Sequence, residues 1–161
     1  MNPDTPIAYR YAEPDDCDLV VKLLGELVRE IGPESVSERV TPLLPEDIEK
    51  ALVSNRCCVV LAESKGKALG FARADILTED PIFRLREDHR CGYIDQMYVR
   101  LEHRNDGLGA KLLQRCEAWF KTQGVRHVLL HAAPRAVRFY ARMGYQPNRE
   151  MFKDLEPASR G

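Results

Sequence analysis

An α+β fold, built as a mixed sheet covered by helices, follows from three features of the sequence. Short apolar runs and amphipathic stretches of helical period succeed one another in the order β-α-α-β-β-β-α-β-α-β-β. Tight hairpin connections lie in the middle and helical crossovers near each end, which combines antiparallel with parallel neighbours. No internal repeat and no linker rich in Gly, Pro or Ser interrupts the 161 residues, so one domain spanning 1–161 is expected, long enough to bury a core.

Ile7 to Tyr11 reads as the first strand. Glu13-Pro14-Asp15-Asp16 then supplies a turn, a capping acid and negative charge at a helix start. Leu19, Val20, Leu23, Leu24, Leu27, Val28 and Ile31 form the buried stripe of the first helix, which Gly32-Pro33 ends. The polar residues through Leu44, punctuated by Pro42, read as a loop. Pro45-Glu46-Asp47 opens a second, shorter helix running to Ser54.

Cys57 to Ala62 is a short apolar strand, and Ser64-Lys65-Gly66-Lys67 is a hairpin turn returning through a strand from Ala68 to Ile76. The charged segment from Leu77 to Cys91, with Pro81, is expected to cross the surface. Tyr93 to Val99 mixes aromatic and β-branched residues as a half-buried strand does. Leu108, Leu112, Leu113, Cys116, Trp119 and Phe120 recur at helical spacing, with Lys111, Gln114, Arg115, Glu117 and Lys121 on the other face and Gly124 as the stop. Val125 to Ala133 reads as a strand, and Arg135 to Met143 as a short helix closed by Gly144. Two short strands fit between Tyr145 and Leu155, around Pro147-Asn148.

Composition is that of an ordinary globular protein, 44% hydrophobic and 30% charged. With 24 Lys and Arg against 25 Asp and Glu, the chain has no general attraction for nucleic acid or an anionic membrane, and neither is expected as a partner. The five cysteines are odd in number and lack paired-ligand spacing, and no run approaches membrane-spanning length. A cytoplasmic location is therefore expected.

Chemistry concentrates where the Tyr93 strand turns into the long helix, at Arg104-Asn105-Asp106-Gly107-Leu108-Gly109. Glycines at such a turn let backbone N–H groups approach a ligand, and the helix start adds free donors and the positive end of its dipole, a setting for an anion such as phosphate. An ordinary tight turn reads the same residues without a ligand. From Arg100 to Arg115 four basic residues (Arg100, Arg104, Lys111, Arg115) face two acidic ones, a local excess that suits an anion and equally a solvated helix face.

The strand ending Met97-Tyr98-Val99, the turn Arg-x-x-Gly-x-Gly from Arg104 to Gly109, the long helix, and Phe139-Tyr140-Ala141-Arg142-Met143-Gly144-Tyr145 together resemble the GNAT superfamily of acetyl-CoA-dependent acyltransferases. The element order agrees along nearly the whole chain. The resemblance implies an α/β/α-layered, mostly antiparallel sheet with a V-shaped splay between strands 4 and 5 and about four flanking helices. It implies acetyl-CoA as co-substrate and no metal. Backbone amides of Arg104, Asn105, Asp106, Gly107, Leu108 and Gly109, with Ala110 at the helix start, would wrap the pyrophosphate. Met97, Tyr98 and Val99 would pair with the pantetheine arm like an added strand, in the gap beside Val125 to Ala133. Phe139 and Ala133 fall at further cofactor positions; many members carry Asn where this chain has Ala133, so that side-chain contact is missing. Asn105 and Asp106 replace residues that are often Gly or basic, in backbone geometries that Asn and Asp tolerate.

Acetyl transfer to an amine needs a base for the arriving ammonium and a proton donor for the departing thiolate. The resemblance gives the donor role to Tyr140, which otherwise packs with Phe139. Asp95 is the base candidate: by strand alternation it shares a face with Met97 and Val99, and an acid in so apolar a strand is either paired with an arginine or poised with a raised pKa. Glu102 and His103 could act through water, though both read as surface residues. His127 and His131 lie four apart, roughly 13 Å on a strand, too far to share one ion, so no metal is expected.

Three activities fit: N-acetylation of a primary amine on a small molecule, which leads; acetylation of a protein N-terminus or lysine; and non-catalytic acyl-CoA binding. The acceptor is expected at the loops Gly32 to Leu44, Leu77 to Cys91 and Gln146 to Glu150. Exposed terminal strands can pair two subunits into a homodimer.

Overall fold

Five strands form one sheet in the computed structural model, which describes residues 6–78 and 90–148. They are β1 (Ala8–Tyr11), β2 (Cys57–Ser64), β3 (Lys67–Thr78), β4 (Arg90–Val99) and β5 (Val128–Leu130), in the spatial order of their numbering. The first three pairings are antiparallel and β4–β5 is parallel, as a mixed, mostly antiparallel sheet requires. The helices are α1 (Cys17–Ile31), α2 (Glu34–Val40), α3 (Leu44–Val53), α4 (Leu108–Thr122) and α5 (Val137–Arg142). The described residues fall into two compact units divided between His131 and Ala132. The first carries the sheet and α1 to α4, and the second carries α5.

The two faces of the sheet bury different helices. Val59, Leu61 and Phe71 pack with Val20, Leu23 and Leu24 of α1 and Leu44 and Ile48 of α3 in one apolar cluster. Ala72, Ala74 and Ile76 point the other way from Phe71 by strand alternation and are buried. Ile76 pairs with Gly92, and a Cβ at Gly92 would stand 2.7 Å from the Phe120 ring of α4. Thus α4 covers the second face with Leu108, Leu112, Leu113, Cys116 and Phe120. The expected hairpin closes with Lys65 at φ 51° and Gly66 at φ 72°, the two left-handed residues whose twist matches that of the flanking strands.

Four stretches of the chain differ from the sequence reading. Residues expected as loop through Leu44 instead form α2 and a 3-10 turn, Thr41–Leu43. The Pro33 carbonyl starts α2 by accepting from Val36 and Ser37 at 2.9 and 3.1 Å, and seven residues are too few to display a helical period. β3 and β4 extend into the expected surface crossing, pairing Leu77 with Cys91 and Thr78 with Arg90; residues 79–89 lie outside the described ones.

The strand expected from Val125 to Ala133 is only Val128–Leu130. Val125 is spent on the exit from α4, donating its amide to Phe120 at 2.9 Å after Gly124 at φ 73°. The two terminal strands are absent over residues 145–148, and their remainder lies outside the described residues, as does any subunit pairing through them. No helix among the described residues is long and apolar enough to cross a membrane.

The contact at Gly92 yields a direct test. Gly92→Ala forces β4 and Phe120 apart and is expected to cost about 1–3 kcal/mol by overpacking, read as a lower midpoint of thermal unfolding by circular dichroism.

Candidate active site

The turn ahead of α4 is shaped by two left-handed residues, Asn105 at φ 68° and Gly107 at φ 81°. Asn is among the few side chains that accept this conformation, so its place in the turn carries no steric penalty of the β-branched kind. A Cβ at Gly107 would meet open space among the described residues, so the backbone there is approachable from outside. The first intrahelical bond of α4 runs from the Lys111 amide to the Gly107 carbonyl at 3.2 Å. The amides of Leu108, Gly109 and Ala110 therefore precede it, and no side chain among the described residues caps them. Three outward donors at the positive end of a 15-residue helix suit a diphosphate.

The turn is strapped to α1 by two ion pairs. Arg100 donates to Glu26 through Nε and Nη2 at 2.9 and 2.7 Å and to the Ala68 carbonyl through Nη1 at 2.9 Å. Arg104 donates to Glu30 at 2.5 Å and to the Val99 carbonyl at 2.7 Å, with its guanidinium 5.7 Å from the Tyr98 ring centre. Each pair is four residues apart, Glu26 with Glu30 and Arg100 with Arg104, so one face of α1 meets both arginines. Arg104 thus holds the end of β4 and the turn to α1. The local positive excess expected from the sequence narrows to exposed Lys111 and Arg115.

Beside the turn, β4 and β5 part. Their ladder joins Gly92, Tyr93 and Ile94 to Val128, Leu129 and Leu130 and stops there. Met97, Tyr98 and Val99 stay paired to β3 on one side, at Ala72, Phe71 and Gly70. On the other side no strand among the described residues covers them, so the edge offers main-chain donors and acceptors to an extended ligand. Gly70 is required behind this edge, because a Cβ there would lie 2.4 Å from the Tyr98 carbonyl oxygen.

Asp95 occupies the point of divergence. Arg73 pairs with Gln96 and Ala74 with Ile94, leaving Asp95 as the extra residue of a bulge. The alternation that would put Asp95 on the face of Met97 and Val99 is therefore broken. Its carboxylate lies instead 3.8 Å from Arg73 Nε, with the side chain 35% exposed. Burial raises the Asp95 pKa, Arg73 opposes the rise, and Asp75 and Asp47 add to it. The acid is thus near an arginine, and burial still raises its pKa from the ordinary aspartate value. Gln96 Oε1, next in the strand, is buried without a hydrogen-bond partner among the described residues.

The second unit holds Ala133, Phe139 and Tyr140. Ala133 is exposed and leads the 3-10 turn Pro134–Ala136, its carbonyl accepting from Ala136 at 2.8 Å. Phe139 and Tyr140 meet edge-to-face at 5.0 Å on α5, and Tyr145 packs edge-to-face on Tyr140 at 5.8 Å. Within this unit the Tyr140 ring is gripped by its neighbours on two sides.

Sequence reasoning passed over Arg73, Asp75, Asp47, Glu26 and Glu30. A usable signal existed for Arg73 and Asp75: charges two apart on one face of an otherwise apolar strand seldom lie there unpaired. Of the two histidines weighed as metal ligands, His131 shares a 2.5 Å hydrogen bond between Nδ1 and the Tyr93 hydroxyl, and the His127 backbone carbonyl accepts from Gly92 at 2.8 Å.

The strap sets an acid dependence. The Arg100 guanidinium holds the Glu26 carboxyl below its usual range, so this stabilisation is present above the unfolded-state value and lost as pH falls through the folded one. Glu26→Gln is expected to cost about 2 kcal/mol at pH 7 and less under acid, where protonation of this carboxyl in the unfolded chain already erodes the pair's contribution. Urea melts of both forms at pH 7 and pH 3.5 check it.

Residues 21–145 match the model of the family described as Acetyltransferase (GNAT) family. No curated protein sequence matches the chain. Among solved structures, a GCN5-related N-acetyltransferase from Ralstonia eutropha JMP134 superposes with TM-score 0.83 at 26% identity, over 93% of this chain and 99% of that one. A predicted acetyltransferase from Clostridium acetobutylicum, solved with acetyl-CoA, gives 0.82 at 21% identity over 92% and 95%. The aminoglycoside N-acetyltransferase AAC(6')-Iy in complex with CoA gives 0.78 at 14% identity over 97% and 98%. A family match across most of the chain, on a sheet that opens between its fourth and fifth strands, places this protein in the GNAT family of acetyltransferases.

Proposed function

We propose that the protein transfers an acetyl group from acetyl-CoA to a primary amine of a small-molecule acceptor, by direct attack with both substrates bound. The observation that carries this reading is the adjacency, through the Val99 carbonyl and Arg104, of an uncapped helix start and an unpaired strand edge. One suits a diphosphate and the other an extended amide-bearing arm. The acetyl-CoA in the Clostridium neighbour supports the donor, and the aminoglycoside N-acetyltransferase supports an amine-bearing small molecule as acceptor.

Bound coenzyme would supply an acetyl group activated as a thioester. The amides of Leu108, Gly109 and Ala110 hold its pyrophosphate, and the main chain from Met97 to Val99 holds its arm. An Asp95 carboxylate oxygen takes the proton from the acceptor ammonium; burial brings its pKa closer to working pH, which improves a base. Tyr140 Oη holds the proton destined for the thiolate. Positioning of amine against thioester lowers the barrier without a covalent enzyme intermediate. The cysteines agree with that economy: burial pushes the Cys57 thiol up to about 12 and raises Cys17, so neither is a thiolate at neutral pH.

Thiol release from acetyl-CoA across a panel of amines tests the activity, with calorimetry for coenzyme binding. Tyr140→Phe is expected to lower kcat about 100-fold with unchanged coenzyme affinity. Gly107→Val is expected to weaken coenzyme A by roughly 5- to 30-fold, because a β-branched residue in the left-handed region costs about 1–2 kcal/mol. Coenzyme binding without turnover on any amine or peptide refutes catalysis, and no binding at all refutes the whole reading.

A further inference from the structure

On the sheet face beneath α3, one guanidinium meets three carboxylates. Arg73 Nη1 donates to Asp47 Oδ2 at 2.6 Å, and its Nε and Nη2 donate to Asp75 at 2.9 and 3.4 Å. Asp95 Oδ2 stands 3.8 Å from Nε, inside charge range and outside hydrogen-bond range. The carboxylates come from α3, β3 and the β4 bulge, so Arg73 joins three separate elements. Its side chain, 13% exposed, is the most enclosed of the four. Two short bonded partners immobilise the guanidinium, and the third carboxylate is attracted without spending its lone pairs.

We propose that Arg73 is a positioning residue of the active site, which fixes the Asp95 carboxylate at the bulge and keeps it anionic beside two other acids. The inference rests on Asp95 as the base of the proposed transfer. Without Arg73, three carboxylates from α3, β3 and β4 would face one another, and the proton would be held most firmly where burial already favours it. The direction agrees: burial, Asp75 and Asp47 push Asp95 up, and Arg73 alone among these groups pulls it down.

Other groups face the cluster from the neighbouring strands. Cys57 on β2 contacts both Arg73 and Asp75 and, pushed up to about 12, is neutral. Tyr93 on β4 is the cross-strand partner of Asp75 and is bonded to His131 beyond β5. Among the described residues, Arg73 is therefore the cation that the three acids share. Its effect on the reaction is a pH window: Asp95 works only when deprotonated, so Arg73 extends activity toward acid.

The test follows the Asp95 carboxyl by carbon-13 NMR in aspartate-labelled protein and, in parallel, the acid limb of kcat/KM against pH. Arg73→Gln is expected to raise the Asp95 midpoint by at least about one pH unit and to move the acid limb by the same amount, a tenfold loss on its acid side. Arg73→Lys is expected to recover most of the shift. Asp75→Asn, which removes an acid instead of the cation, is expected to move both quantities the opposite way, and it serves should Arg73→Gln fail to fold.

An Asp95 midpoint that stays put in the folded variants overturns the proposal. A midpoint that moves while the acid limb does not removes Arg73 from the reaction. Shifted midpoints with no wild-type transfer to any amine overturn the acetyl-transfer reading instead, since the NMR readout needs no turnover.

Discussion

The parting of β4 and β5 after Ile94 is the constraint on which the rest of the first unit depends. Parallel strands normally continue pairing as far as both run, since every unpaired N–H and C=O forfeits a hydrogen bond. Here β4 runs five residues past the last paired position, with one inserted residue where the ladder stops. A bulge increases local twist and re-aims the side chains around it. The edge so exposed is polar backbone between half-buried side chains, and it adjoins the start of α4.

That opening is kept in register by charge pairs rather than by further sheet. Glu26 and Glu30 on α1 take Arg100 and Arg104, and Arg104 also reaches back to the Val99 carbonyl. The connection between β4 and α4 is thereby tied at both ends to a helix whose apolar stripe is buried under the sheet. The Arg100–Glu26 pair is bidentate and both pairs are partly enclosed, so they resist screening better than exposed ones and keep the turn in place. The arginine that marks the motif in sequence thus fixes the geometry of the turn that follows it.

Earlier along β4, at the bulge, a second set of charges gathers. Asp95 would be a commonplace acid on a flat strand; the bulge brings it within reach of a guanidinium already saturated by Asp47 and Asp75. Burial and two neighbouring carboxylates favour its protonated form, and Arg73 restrains them. A carboxyl balanced between opposing influences is better matched to proton transfer near neutrality than one fully paired or fully solvated.

Sequence by itself determined the element types, the hairpin at Lys65-Gly66, the glycine turn before α4 and the family resemblance, because these rest on periodicity and on residues few in kind that fit left-handed backbone. It could not show α2, whose seven residues are shorter than the pattern they would need, nor the early end of β5, whose apolar neighbours are buried for other reasons. Tertiary structure alone decided where the sheet opens, which acids surround Arg73, and that Arg104 faces Glu30. A strand alternates faces only until a bulge interrupts it, and the partner of a charge is chosen by elements distant in the chain, such as Asp47 on α3 and Glu30 on α1.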